Sequence, residues 1–131
     1  MKHLLPKEAH AFLSQHPDAL FLDVRMELEY LYVGHPPGVV HLSWYEYPEM
    51  EAQPERFVDQ VRREVGGDLS CPVVLLCRSG ARTVAAGQAL EAAGFSEVIN
   101  VLHGFEGDLD ENFQRGRLNG WRHDGLPWEQ M

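Results

Sequence analysis

The sequence predicts an α/β fold built around a central, mostly parallel sheet of four to five strands, and three observations carry that reading. Short apolar runs recur, unbroken at Ala19–Leu22 and Pro72–Leu76 and with one polar residue each at Val39–Leu42 and Val98–Val101. Unbroken apolarity suits strands covered on both faces better than strands with one wet face. Segments of helical spacing alternate with these runs, and parallel neighbours need crossovers of that length. The chain has 131 residues, enough for one hydrophobic core and too few for a second large domain. A single domain over residues 1–131 is therefore expected, with an inserted polar segment at about 106–120.

In chain order, Pro6 can occupy a first helical turn, and Ala9, Phe12, Leu13 and His16 recur at helical spacing until Pro17-Asp18 stops them. The first apolar run ends in Asp23-Val24-Arg25, which puts two charges at its carboxyl end. Gly34-His35-Pro36-Pro37-Gly38 fits a sharp reversal ahead of the second run. Trp44-Tyr45-Glu46-Tyr47-Pro48 has no period and reads as loop or one irregular turn. Pro54 opens a helix with Phe57, Val58, Val61 and Val65 on one face and Glu55, Asp59, Arg62 and Arg63 on the other, ended by Gly66-Gly67. After the third run comes a helix of small residues, Val84 to Ala93, ending at about Gly94. The tail from Glu106 is polar and glycine-rich, with Trp121 and Trp128 to anchor it over the surface.

Composition excludes several function classes. Lys plus Arg number 11 and Asp plus Glu 20, a formal charge of −9, so the average surface repels phosphate backbones and anionic lipid. Nucleic acid and membrane are not expected partners, and no apolar run is long enough to span a bilayer. Met1 to Glu8 breaks its apolar patch with a proline and charges, unlike a signal-peptide core, which leads to an intracellular, cytoplasmic expectation. Cys71 and Cys77 stand at opposite ends of one strand-like run, too far apart for a disulfide, and read as free thiols. His35, His41 and His103 lack metal-ligand spacing and read as turn or surface residues. Asp108, Asp110 and Asn112 mimic the start of a calcium loop, but its glycine and closing glutamate positions hold Phe113 and Asn119. No metal or other cofactor is implied.

The chemistry concentrates at Cys77. In open parallel sheets reactive groups gather beyond the carboxyl ends of strands, where the following helices point their positive ends. The segment Cys77-Arg78-Ser79-Gly80-Ala81-Arg82-Thr83 is short, contains a glycine and leads into a helix, so backbone N–H groups can turn inward as an anion cradle. Arg78 and Arg82 add fixed positive charge, and both features favour thiolate over thiol. Cys77 is thus the expected nucleophile, provided solvent can reach it. Cys71 has no adjacent cation, precedes a proline and reads as structural. No second cysteine stands near enough to resolve a disulfide.

The Cys77–Thr83 segment is similar to the active-site loop of the rhodanese-like sulfurtransferases. Leu22-Asp23-Val24-Arg25 resembles that family's early strand motif, Glu29-Tyr30 through Gly38 its glycine-proline turn, and Trp121 with Gly125-Leu126-Pro127 its closing motif, in the family's order. The resemblance implies a three-layer α/β/α fold and a sulfane sulfur taken by Cys77 from a donor such as thiosulfate. It also implies a persulfide held by the loop amides and delivery to a thiophilic acceptor such as cyanide or a thiol. Arg78 and Arg82 would bind the donor's anionic end, with Ser79 and Thr83 adding hydroxyls and Gly80 and Ala81 completing the loop. Asp23 and Arg25 are assigned a supporting role. A carrier or sensor module that passes its persulfide to a protein partner is the alternative.

Phosphatases and arsenate reductases share this superfamily's fold, with one more residue between cysteine and arginine. Here four residues intervene before Arg82, and Thr83 stands where the longer loop needs its arginine. A smaller ring suits sulfur better than a tetrahedral phosphate. Two departures from the family pattern stand out: His103-Gly104 replaces a glycine pair, and about a dozen added residues precede Trp121. The addition, with Glu106, Asp108, Asp110, Glu111, Arg115 and Arg117, is read as a lid or docking surface near the cysteine.

Overall fold

A computed structural model describes residues 1–131. Five strands form one sheet: β1 (Lys2–Leu4), β2 (Leu20–Asp23), β3 (Val40–His41), β4 (Val73–Leu76) and β5 (Val98–Val101). Their order across the sheet is β1-β5-β4-β2-β3, and every pairing is parallel. Three α-helices accompany them: α1 (Pro6–Gln15), α2 (Pro54–Glu64) and α3 (Ala81–Ala92).

The central strand, β4, is the most apolar, as its position demands. Every residue of β4 is buried, and its side chains alternate between two cores. Val73, Leu75 and Cys77 face α2 and α3, joining Phe57, Val58, Val61, Ala86 and Leu90. Val74 and Leu76 face α1 and the C-terminal segment, joining Ala9, Phe105 and Trp121. The layers are therefore α2/α3, sheet, and α1 with the tail, in agreement with the α/β/α expectation.

β1 is the strand that periodicity does not reveal. Three residues carry no apolar pattern, and they become a strand only by pairing with Ile99–Val101 at the edge. α1 begins at Pro6, and the Glu8 carboxylate accepts the free Leu5 N–H at 2.8 Å. Between β2 and β3 the chain makes a π-helical turn, Glu29–Val33, which the sequence reading did not anticipate. The tail adds no strand: it holds on through Trp121, whose Nε1–H donates to Pro127 O at 2.7 Å, and through a bridge between His35 and Glu129. No helix is long and apolar enough to cross a membrane.

Candidate active site

Inward alternation along β4 carries one residue past the strand and fixes Cys77 on the core side of the sheet's carboxyl edge. The chain then bends through Arg78, Ser79 and Gly80 before α3 begins. Gly80 has φ +100°, a left-handed conformation that favours glycine, while an added Cβ would meet nothing nearer than His103 N at 3.5 Å. Conformation, not space, selects glycine here. That turn aims the Gly80 N–H at Cys77 Sγ, 3.1 Å away. The first turn of α3 carries no acidic residue of its own, so nothing within the helix offsets its positive end.

Thr83, fully buried, lies under the loop with Oγ1 3.6 Å from Cys77 Sγ and 2.9 Å from Gly80 O. It also pairs with Asn100 Oδ1, on β5. The position that a phosphatase-length loop would fill with arginine is thus a buried hydroxyl already engaged by the scaffold.

The two loop cations have different fates. Arg82 grips Glu29 through two parallel bonds, Nη1 to Oε1 at 2.6 Å and Nη2 to Oε2 at 2.8 Å, with the Tyr45 ring 5.4 Å from its guanidinium. Burial works to raise the Glu29 carboxyl, but the hydrogen bonds and charge of Arg82, the Met26 N–H and the Arg25 charge outweigh it and hold it below the ordinary range. Arg78 is exposed and forms no ion pair, so it is the loop's free guanidinium.

Behind the loop, Cys77 O accepts the Phe105 N–H at 2.8 Å, and Arg78 O accepts those of Glu106 at 2.9 Å and Gly107 at 3.3 Å. So close an approach requires glycine at 104, where a Cβ would stand 2.4 Å from Cys77 O, with φ at +61°. His103 takes the other left-handed position of the expected glycine pair, φ +68°, and its Nδ1 meets Asp108 Oδ2 at 2.9 Å. Through Glu106 and Gly107 the 106–120 segment is tied directly to Arg78 of the cysteine loop.

Asp23 and Arg25 do not reach the sulfur. Fully buried, they pair with Arg25 Nη2 2.6 Å from Asp23 Oδ2 and Nε 3.0 Å from Oδ1. Arg25 also donates to Gly34 O at 2.6 Å and lies 4.5 Å over the Phe105 ring. The pair fastens the end of β2 to the Gly34 turn and to the strut behind the cysteine loop. The histidines serve local roles: His35 Nδ1 bonds Tyr30 O at 2.9 Å, and His41 Nε2 bonds Arg25 O at 2.7 Å.

Accessibility differs from the sequence expectation. Cys77 is only 1 % exposed, because strand alternation turns its side chain inward and the loop closes over it. Solvent reaches the loop at Arg78 and Ala81, which are exposed, and at the half-buried Ser79 and Gly80. Cys71 is a free thiol on the opposite edge of the sheet, its Sγ 3.3 Å from Asp18 O.

Glu29 and Asn100 are site residues that the sequence reading did not assign. A weak signal exists for Asn100, a polar side chain inside the apolar run Val98–Val101. Glu29 is marked only as the first residue of the family-like turn motif, and its pairing is not legible because its partner lies 53 positions away.

A parallel sheet with a single cysteine at its carboxyl edge, cradled where a short loop enters a helix, defines an α/β protein with a cysteine loop at the end of its central strand. The chain belongs to the rhodanese-like domain family, whose pattern matches residues 5–111. The crystal structure of Rv0390 from M. tuberculosis superposes with a TM-score of 0.86 at 36% identity, covering 100% of this chain and 98% of that one. The thiosulfate sulfurtransferase GlpE of Actinobacillus pleuropneumoniae is 29% identical over 117 residues, 89% of this chain and 83% of that protein. The polysulfide-sulfur transferase homodimer of Wolinella succinogenes matches with a TM-score of 0.66 at 26% identity, over 100% of this chain and 80% of that one. Proteins named as sulfurtransferases thus recur among its relatives.

Proposed function

We propose that this protein is a sulfurtransferase that carries a sulfane sulfur on Cys77. The observation behind the reading is the placement of Cys77 Sγ against the Gly80 N–H and the first turn of α3, beside the unpaired Arg78. N–H dipoles and a helix N-terminus favour negative charge on sulfur. In the first half-reaction the Cys77 thiolate attacks the outer sulfur of thiosulfate. A new S–S bond forms, the donor's own S–S bond breaks, and sulfite leaves with the electron pair. In the second, cyanide or a thiolate attacks the outer sulfur of the persulfide, and Cys77 departs as thiolate. No external oxidant or reductant is needed.

Each loop residue has a part. Arg78 attracts the anionic donor, while Arg82, with both prongs of its fork on Glu29, keeps the loop's shape. Ser79, Gly80 and Ala81 line the approach, and Thr83 supports the sulfur from below. Burial of Cys77 restricts direct attack to small donors, and the added sulfur lies further out, toward the Ser79–Ala81 rim. The Thr83 position and the short loop disfavour phosphatase and arsenate reductase chemistry.

Mass spectrometry after exposure to thiosulfate tests the reading. One added sulfur should appear on the Cys77 peptide, disappear with cyanide and be absent from Cys77→Ser. Failure to load from thiosulfate and from polysulfide alike would overturn the proposal.

A further inference from the structure

The added segment is a built structure. Gly107 and Gly120 pinch its base so tightly that a Cβ at 107 would stand 2.0 Å from Asn119 O. Asp108 N donates to Asn119 Oδ1 at 2.9 Å, and Asn119 Nδ2 returns a bond to Asp108 Oδ2 at 3.1 Å. At the far end Asp110, with a side chain only 10 % exposed, organises the turn. Its Oδ1 accepts the N–H groups of Asn112 at 2.8 Å and Gln114 at 2.9 Å, while its main chain pairs with Gln114 O and the Phe113 N–H. Arg115 ties the arm down through Gly107 O at 2.7 Å.

All this order presents Phe113 to water. It is 82 % exposed and has φ +59°, and the same segment also exposes Leu109 and Leu118. A turn needing that φ is served better by glycine or asparagine, and an aromatic ring so exposed contributes almost nothing to the chain's own core. The strain and the exposure have no internal reward, whereas exposed apolar residues on a rigid, polar-rimmed mount mark interaction sites. The mount is continuous with the candidate active site, since Glu106 and Gly107 hydrogen-bond Arg78 O at its foot.

We infer that Phe113 is the anchor of a docking surface for a protein that exchanges sulfur with Cys77. The partner is defined by its chemistry: an apolar pocket for the ring, basic residues around it, and a reduced cysteine able to approach the Arg78–Ala81 rim. Basic complementarity follows from the balance of the segment itself, in which Glu106, Asp108, Asp110 and Glu111 outnumber Arg115 and Arg117, and from the chain's charge of −9. The same charge opposes a second copy as occupant. This inference rests on the sulfurtransferase reading, and in the exchange the partner thiolate attacks the outer persulfide sulfur while Cys77 leaves as thiolate.

The test loads the full chain with thiosulfate radiolabelled in its outer sulfur and offers two acceptors, cyanide and a pool of reduced cellular proteins freed of small thiols. Phe113→Asn, which tolerates the left-handed backbone, should cut labelling of protein thiols about tenfold or more while leaving thiocyanate formation within about twofold. Equal protein labelling by the variant overturns the docking surface, as does label that never reaches a protein. A second arm is independent of sulfur chemistry: a photo-crosslinking amino acid replaces Phe113 in a Cys77→Ser chain. A discrete crosslink to the protein that receives label supports docking, and its absence overturns it. If Cys77 fails to load, the sulfurtransferase reading falls, and the crosslink alone decides whether docking stands.

Discussion

Arg82 and Glu29 are joined by two short hydrogen bonds, 2.6 and 2.8 Å, that bridge the cysteine loop to the π-helical turn after β2. Both prongs of the guanidinium fork are used on the carboxylate. In the proposed reaction Arg82 therefore holds the loop, and Arg78 is the cation left to meet a donor.

A division of labour between the arginines follows. Arg78→Ala should raise KM for thiosulfate about tenfold and leave KM for an uncharged organic trisulfide unchanged. Arg82→Ala should lower loading from both donors together and lower the unfolding midpoint. Steady-state kinetics with the two donors separates these outcomes, and an Arg82 variant selective against the anion would reverse the assignment.

Glu29→Gln leaves a mostly buried guanidinium without its counter-charge, at a cost of about 3 kcal/mol in unfolding free energy. The same pair predicts acid sensitivity. Because the folded carboxyl is held below its ordinary value, its contribution is present above the unfolded glutamate pKa of about 4.3 and is lost as pH falls through the lower folded value. Urea unfolding at neutral and acid pH should show wild type losing this increment on acidification and Glu29→Gln lacking it throughout.

Asp23→Asn strands Arg25 in a site with no solvent access, so about 3–5 kcal/mol should be lost. Arg25→Lys should cost a similar amount, since an ammonium cannot reproduce the fork to Asp23 and the bond to Gly34 O. Thermal unfolding of both variants checks the supporting role; stable variants that fail only in sulfur transfer would instead place these residues in the chemistry.

Gly104→Ala tests the strut behind the loop. Its Cβ would overlap Cys77 O and the Arg78 carbonyl carbon, at 2.4 and 2.6 Å, and the left-handed backbone adds strain of about 1–3 kcal/mol. Loss of both stability and Cys77 loading is expected, measured by calorimetry and by mass spectrometry.

The two thiols should separate by reagent size. Burial and the charges of Asp68 and Asp18 outweigh the Leu20 backbone bond and push the Cys71 thiol up, so its alkylation should accelerate only above the ordinary thiol range near ~8.5. Cys77 should resist bulky maleimides in the folded state yet load sulfur from thiosulfate. Peptide mapping distinguishes them, and equal maleimide reaction at both would mean that the loop stands open.

Local order was legible along the chain because it depends on local patterns. Apolar runs marked β2, β4 and β5, the spacing of Phe57, Val58 and Val61 marked α2, and Cys77 through Thr83 marked the loop, since a turn into a helix N-terminus is a short-range construction. Tertiary structure alone decided the rest. β1 exists only through its pairing with β5, Arg82 lost its freedom to a carboxylate 53 positions away, and Cys77 turned inward because the sheet's alternation ran one residue beyond the strand. Partners and burial are set by which chain segments meet, and one-dimensional spacing carries no record of that.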